Sequence, residues 1–325
     1  MRVGLQITKN KQKYETLKSL IDISKFPKIS FIYIDSEDSL KKELQNLDIL
    51  VTYRITSKLF KYRSEKLKWI HIGASGVEQN LFDDLLKSRV MLTNAKGINS
   101  LPVAEYIISQ ILYFAKQVDS CNQFKKDRIW KQWELAKSTV QLSRSTLGII
   151  GYGEIGKELS RLAKAFGMKV LATRRLQKKI EHKRNVDILY PTSEIDSILK
   201  DSDFLVLTCP LTPLTKNMIN KESFKKMKKS SYLINTSRGD IVVEEDLIKA
   251  LSKNQIAGAA LDVFSLEPLD KKNPLFNLNN VFLSPHISGN FSNYQHIMIE
   301  QFSTMLNKFM NNKTLKNRVC KKRLY

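Results

Sequence analysis

Cysteine is scarce in this chain, and long apolar runs are missing altogether. Cys121, Cys209 and Cys320 are odd in number and far apart, with no C-x-x-C pair. That usage excludes a disulfide framework and points to reduced thiols in a cytoplasmic protein. No apolar stretch approaches the roughly 18 residues that a membrane span needs, so no membrane partner is expected. The opening MRVGLQITKN reads as a first strand, because no apolar h-region or small-residue cleavage site follows it. Internal repeats and low-complexity linkers are absent as well. His71, His182 and His296 have no partners at metal-ligand spacing, so no metal is expected. Acidic residues are also few: 32 Asp and Glu against 54 Lys and Arg leave a net charge of +22. Such a charge invites a nucleic-acid partner. The basic residues are scattered, however, with short clusters only at Lys41-Lys42, Lys225–Lys229 and Lys321–Arg323. No aromatic-interleaved basic motif or helix-turn-helix pattern accompanies them. They are read as a solvated surface that draws in small anions, without a nucleic-acid site.

What is present is most informative in Leu147–Arg175, LGIIGYGEIGKELSRLAKAFGMKVLATRR. It has the pattern of strand, glycine turn, helix and second strand, with Gly151, Gly153 and Gly156 in G-x-G-x-x-G spacing. Gly151 allows the tight turn, Gly153 lets a diphosphate approach the backbone, and Gly156 lets helix and strand pack closely. A pyrophosphate would sit at the N-terminus of the helix that begins near Ile155, where free N–H groups and the helix dipole favour negative charge, with Glu154 and Ile155 among the candidate cofactor contacts. A glycine triplet alone is weak evidence. Here the apolar strand Thr146–Ile150 precedes it, and Leu159, Leu162, Ala163 and Phe166 follow at helical spacing. The second strand, Lys169–Thr173, then ends in Thr173-Arg174-Arg175, where an NAD site places an Asp or Glu.

At 325 residues, with 42% hydrophobic and 26% charged, the chain has room for two domains with separate cores. Strand and helix patterns alternate almost throughout, which predicts α/β architecture with parallel sheets. Strands are expected at Arg2–Ile7, Ser30–Ile34, Ile49–Thr52, Trp69–Ile72 and Val90–Thr93, separated by helices such as Lys11–Ile21, Leu40–Leu47 and Glu78–Leu86. The apolar helix Val103–Ala115 suggests burial between two lobes, and a polar segment, Asp119–Ser145, leads to the glycine turn. Later strands fall at Phe204–Leu207, Tyr232–Asn235, Ala257–Leu261 and Val281–Leu283, before a final helix, Tyr294–Met310. Because the glycine turn lies mid-chain, one domain is expected to be inserted into the other. Residues 99–290 would form the dinucleotide-binding domain, and residues 1–98 with 291–325 the discontinuous substrate domain.

Ligands of open α/β sheets bind at the C-terminal ends of the strands. Three such ends carry titratable or charged groups: Arg238 after Tyr232–Asn235, Asp262 and Glu267 after Ala257–Leu261, and His286 after Val281–Leu283. Each alone is compatible with a structural role. Together an arginine, a glutamate and a histidine suit the reduction of a carbonyl beside a carboxylate. Cys209 has no base placed to activate it, which excludes a thiol nucleophile. Arg54, after Ile49–Thr52, is either a surface residue or one that reads the substrate.

The ordered motifs resemble the D-isomer-specific 2-hydroxyacid dehydrogenase family over nearly the full length. They run from Gly73-Ala74-Ser75-Gly76-Val77 and Thr93-Asn94-Ala95 through Val103-Ala104-Glu105-Tyr106 and the glycine turn. They continue with Cys209-Pro210-Leu211-Thr212, Leu233–Val242, Ala260–Pro268 and Ser284–Gly289. The resemblance implies two doubly wound parallel-sheet domains, a Rossmann domain inserted into a flavodoxin-like substrate domain. It also implies that Arg238 binds the substrate carboxylate and 2-oxo oxygen, that His286 is the acid/base, and that Glu267 orients it. Backbone N–H groups of Ser75 and Gly76 would hold the carboxylate from the other lobe. Asp262 resembles the residue that contacts the nicotinamide carboxamide, while Cys209, Pro210 and Thr215 would line the diphosphate and adenosine portion.

Arg174 and Arg175, with no carboxylate from Ala172 to Lys179, predict pairing with a 2′-phosphate and hence NADP, with NAD as the alternative. The leading expectation is an NADPH-dependent glyoxylate/hydroxypyruvate reductase acting on a small 2-oxo acid, as a homodimer. Two alternatives remain open. One is an NAD-dependent D-3-phosphoglycerate dehydrogenase, to which the end at Tyr325 leaves no appended regulatory domain. The other is an NAD(P)H-sensing binding protein of the corepressor type.

Overall fold

Short runs of β-branched and other apolar residues set the framework. The computed structural model describes residues 1–321. It divides into two compact units, one made of Met1–Ile98 with the chain from Phe291 onward, the other of Asn99–Asn290. In the first unit, β1 (Arg2–Gln6), β2 (Ser30–Tyr33), β3 (Ile49–Thr52), β4 (Trp69–Ile72) and β5 (Met91–Asn94) form a parallel sheet. Its order, β2-β1-β3-β4-β5, is that of flavodoxin-like domains. Near the chain's end, Arg318 makes a single antiparallel bridge to Thr93 of β5. Lys322 and Arg323 of the last basic cluster lie outside the described residues.

The second unit holds β6 (Thr146–Ile150), β7 (Lys169–Thr173), β8 (Glu181–Lys183), β9 (Val186–Tyr190), β10 (Phe204–Leu207), β11 (Tyr232–Asn235), β12 (Gly258–Leu261) and β13 (Val281–Leu283). Their order is β13-β12-β11-β10-β6-β7-β9-β8, parallel except for the β8–β9 pair. Counted from β6, the parallel strands follow the Rossmann order, and the direction of winding reverses at β6. The fold is thus a Rossmann domain inserted into a flavodoxin-like one.

Burial follows the period of two that a sheet covered on both faces demands. In β10, Phe204 and Val206 enter one core while Leu205 and Leu207 enter the other. Val170 and Ala172 of β7 likewise oppose Leu171. In the first unit Ile49 and Val51 face away from Leu50. Register then aligns the strand ends. Thr173, Ile150, Leu207, Asn235, Leu261 and Leu283 are partners across β7, β6, β10, β11, β12 and β13, each the last residue of its strand.

Several expectations need correction. The expected helix Glu78–Leu86 is a single 3-10 turn, Glu78–Asn80, followed by a separate helix, Asp83–Lys87. The break follows from Asn80, whose buried amide accepts from Ile55 N at 2.8 Å and so ties the first turn to the loop after β3. The helix Ser100–Ala115 does not need a second lobe to cover it, since Val103, Ile107, Ile111 and Phe114 join the core of the second unit itself. The polar segment before β6 contains two helices, Val118–Asp127 and Gln132–Ser138, neither with a buried residue. The β8–β9 hairpin and the helix Ile195–Asp201 carried no recognised pattern. Among the described residues no helix is long and apolar enough to cross a membrane, and no group of three or more His, Cys, Asp or Glu could hold a metal.

His71, in β4, is a core residue. Its Nδ1 lies 2.9 Å from Thr93 Oγ1, which also accepts from Trp69 Nε1 at 2.7 Å. Its Nε2 is buried without a partner, and complete burial pushes the pKa down from 6.5 to about 3. Between those values the unfolded chain binds a proton that the folded one refuses. The stability His71 permits is therefore fully present above pH 6.5 and is lost as pH falls towards 3. Between pH 7 and pH 5 the loss amounts to about 2 kcal/mol. Urea unfolding of the protein and of His71→Phe at both pH values checks this: the variant's stability should fall by about 2 kcal/mol less over that interval. Parallel losses would show that other groups carry the acid sensitivity.

Candidate active site

The aligned strand ends gather the chemistry of the second unit on one edge. At the end of β6, Gly151 has φ +110°, and a Cβ there would meet Cys209 N at 2.5 Å. Glycine is required both by the backbone angle and by the close approach of the segment after β10. The helix Glu154–Ala165 starts at once, with Gly153 as its cap residue and no side chain capping its N–H groups. A Cβ on Gly153 would meet nothing within 4 Å, so the turn leaves open space directly before the helix. Gly156 packs against the turn, since a Cβ on it would stand 2.9 Å from Gly151 O. An uncapped helix start behind open backbone fits the diphosphate of a dinucleotide.

Around this turn the expected cofactor contacts differ in character. Thr173 is buried, and its carbonyl accepts from Tyr152 N at 2.7 Å, so it fixes the turn. Arg174 and Arg175 follow it on the exposed surface, with Arg174 N donating to Tyr190 O at 3.2 Å. Glu154 pairs with Lys157 at 2.7 Å, and Ile155 is partly buried. Cys209 is buried, which pushes its thiol up to about 12 and keeps it an inert thiol at neutral pH. Thr215 Oγ1 donates to Pro210 O at 2.7 Å and accepts from Thr212 N at 2.8 Å, holding the loop after Cys209 closed on itself.

Arg238, Glu267 and His286 follow three strands that are neighbours in the sheet. Asn235 organises the first of these ends, accepting from Ser237 N at 3.1 Å and donating to Arg238 O at 2.9 Å. Ser237 Oγ donates to Cys209 O. Gly239 lies so close to the Phe264–Ser265 backbone that a Cβ would stand 2.0 Å from Phe264 C, which brings the Arg238 segment against the one carrying Glu267. The guanidinium of Arg238 is partly buried and donates to Ser237 O at 2.7 Å. Beside it, Thr236 Oγ1 is buried without a hydrogen-bond partner, a polar atom that a ligand at this edge can satisfy.

Glu267 is anchored through Oε1, which accepts from Phe264 N at 3.0 Å, and its Oε2 lies 2.7 Å from His286 Nδ1. A carboxylate only accepts, so Nδ1 carries the hydrogen and Nε2 is the ring nitrogen left for a reacting group. Half of the His286 side chain is exposed, at 49%. Asp262, implied to contact a carboxamide, also has partners within the protein. Its carboxylate is 1% exposed and accepts from Ser284 Oγ at 2.6 Å, Ile287 N at 2.8 Å and Ser288 N at 2.9 Å. Neither Ser284 nor Tyr106 is expected from the sequence to have a site role; Tyr106 shares its helix with Glu105, Ser109 and Gln110, so no local signal singles it out.

In the first unit, Ser75 and Gly76 follow β4 and Arg54 follows β3, again at the C-terminal edge of the sheet. Asn94 Nδ2 donates to Ser75 O at 2.6 Å, fixing that loop. Arg54 is exposed, its backbone N donating to Thr52 Oγ1 at 3.2 Å.

A family model described as "D-isomer specific 2-hydroxyacid dehydrogenase, NAD binding domain" matches residues 108–288. The chain is 36% identical over 253 residues to the glyoxylate reductase of Thermococcus litoralis, covering 76% of this chain and 75% of that one. It is 33% identical over 236 residues to the D-3-phosphoglycerate dehydrogenase of Synechocystis, covering 73% of this chain but 41% of that longer one. In fold it is similar to the solved NADPH-dependent glyoxylate/hydroxypyruvate reductase of Sinorhizobium meliloti in complex with NADP and sulfate. That likeness has a TM-score of 0.84 at 24% identity and covers 100% of this chain and 99% of that one. The family match takes in the glycine turn and all three strand ends that carry Arg238, Glu267 and His286, and by its extent the chain belongs to the D-isomer specific 2-hydroxyacid dehydrogenase family.

Proposed function

We propose that this dehydrogenase reduces glyoxylate, hydroxypyruvate or a similarly small 2-oxo acid to the D-2-hydroxy acid, with NADPH preferred. The reading is carried by the His286–Glu267 pair, 2.7 Å apart, next to the strand end that bears Arg238. Arg238 offers a planar cation to the substrate carboxylate and the 2-oxo oxygen. His286 Nε2 delivers the proton to that oxygen while Glu267 holds the ring through Nδ1. The nicotinamide of a dinucleotide bound at the glycine turn supplies the hydride that completes reduction of the carbonyl carbon. In the first unit, the Ser75–Gly76 backbone and Arg54 serve the substrate, which makes residues 1–98 with 291–325 the substrate domain and residues 99–290 the cofactor domain.

The exposed Arg174 and Arg175 support the NADPH preference, since each can give a 2′-phosphate a charge-assisted hydrogen bond. Glyoxylate and hydroxypyruvate should each drive faster oxidation of NADPH than of NADH, with 3-phosphoglycerate oxidation run in parallel. Replacing both arginines by serine should raise KM for NADPH by roughly tenfold or more and leave KM for NADH nearly unchanged. A tenfold preference for NADH in the parent enzyme would sink the cofactor assignment.

His286→Gln should lower kcat by roughly 10²–10⁴-fold with cofactor binding retained. Unchanged kcat would remove His286 from its role. If NADPH binds tightly but none of a panel of 2-oxo acids is turned over, the sensor reading replaces the enzyme.

A homodimer is also proposed. Ile129, Trp130 and Trp133 are 54%, 78% and 75% exposed between and on the two helices that bury nothing, an apolar surface suited to a second copy. Light scattering should give twice the chain mass, and Trp130→Glu with Trp133→Glu should halve it; a monomeric parent overturns the assignment. Three cysteines, far apart in the sequence, accord with a reducing, cytoplasmic setting.

A further inference from the structure

His286 has φ +54°, a backbone region that residues with a Cβ avoid. Such a conformation persists only where the surroundings over-determine it. Here Asp262 does so. Its carbonyl accepts from His286 N at 2.9 Å, and its buried carboxylate accepts the next two backbone N–H groups, those of Ile287 and Ser288. One residue therefore grips the histidine's backbone from both sides. That grip depends on where the carboxylate is held, and the remaining donor to it is Ser284 Oγ at 2.6 Å.

The direction of the bonds behind Ser284 follows from proton counting. A hydroxyl has one hydrogen, and an ionised carboxylate can only accept, so Ser284 donates to Asp262. The contact between Ser284 Oγ and Tyr106 OH, at 2.5 Å, must then run from tyrosine to serine. Burial raises the pKa of Tyr106, which keeps its phenol protonated and able to donate. Tyr106 lies on the helix Ser100–Ala115, and Asn99, the residue before that helix, donates to Gly289 O at 3.3 Å. The same helix thus anchors the histidine segment near both its ends, at Ser284 and at Gly289.

We propose that Tyr106 and Ser284 are positioning residues for the reaction, forming a one-way relay from Tyr106 through Ser284 to Asp262 that fixes the backbone of His286. Neither is placed at the reacting atoms. A phenylalanine at 106 fills the same apolar space but leaves Ser284 without its donor, so Asp262 and the two N–H groups it holds become free to shift. The catalytic part of this inference rests on the role of His286 proposed above.

Two readouts test it. Amide hydrogen exchange of the whole protein follows the Ile287 and Ser288 N–H groups without reference to activity. Tyr106→Phe should speed their exchange roughly tenfold relative to the protein's other strand-end segments. In steady state with glyoxylate and NADPH, Tyr106→Phe and Ser284→Ala should each lower kcat about tenfold, with both KM values within about twofold, because a misplaced acid costs turnover and not binding. The double variant should be no slower than either single one, since both cut one path. Ser284→Thr, which keeps the hydroxyl, should retain the parent kcat. Unchanged exchange and unchanged kcat in Tyr106→Phe, with only a lowered Tm, overturn the relay, as does a double variant whose losses multiply. If Tyr106→Phe speeds exchange while His286→Gln leaves kcat intact, the relay stands and the role of His286 falls.

Discussion

The constraint on which the rest of this structure depends is the register of one parallel sheet. Thr173, Ile150, Leu207, Asn235, Leu261 and Leu283 end six strands in a single row of partners. Arg238, Asp262, Glu267 and His286 each follow this row by a few positions. A slip of one residue in any pairing would exchange the two faces of that strand, putting Phe204 and Val206, for example, where Leu205 and Leu207 now pack. Hydrophobic burial on both faces therefore holds the polar edge in line. The site is organised by the core beneath it more than by attraction among its own charges.

Polar groups then refine what the sheet aligns. The Asn235 amide turns the Arg238 segment, Glu267 is anchored to Phe264 N, and Asp262 grips the segment of His286. Each is a carboxylate or amide spent on backbone N–H and C=O groups that have just left the sheet ladder and need partners. Burying Asp262 is tolerable because three donors meet its carboxylate. Removing one donor leaves the others to reorganise around a charge that still must be satisfied, which is why a tyrosine several bonds away can matter to a histidine.

Legibility in the sequence tracks locality. The glycine turn could be read because its requirements fall within a few residues: a strand, a tight turn, a helix start. Arg238, Glu267 and His286 stand out as candidates because each comes within a few residues of the end of an apolar strand, and strand ends are where parallel sheets bind ligands. The pairing of Tyr106 with Ser284 joins positions 178 residues apart, and neither carries a local pattern that announces the other. The helices Val118–Asp127 and Gln132–Ser138 bury nothing; the first repeats Val118, Cys121 and Phe124 at helical spacing but is otherwise polar, and the second has only seven residues, so neither stands out from the polar segment. The hairpin Glu181–Tyr190 failed for a related reason, since its first strand is polar and largely exposed at the edge of the sheet. The burial of Asp262, and the three donors that meet it, are properties of the packed sheet and not of its neighbours in sequence.

Two histidines show how environment assigns opposite work to one side chain. His71 sits inside β4 with Trp69 and Phe302 about it, its Nδ1 against Thr93 and its Nε2 unpartnered. Burial there holds the ring neutral, so it cannot take up or deliver a proton near pH 7, and it serves as a polar piece of the core. His286 stands past the end of its strand, half exposed, with Nδ1 committed to Glu267 and Nε2 left over. The carboxylate fixes which ring nitrogen is left available, and the strained backbone held by Asp262 fixes where that nitrogen points. Orientation set from two independent directions, ring and main chain, separates a histidine suited to the proposed acid/base role from one that only fills space.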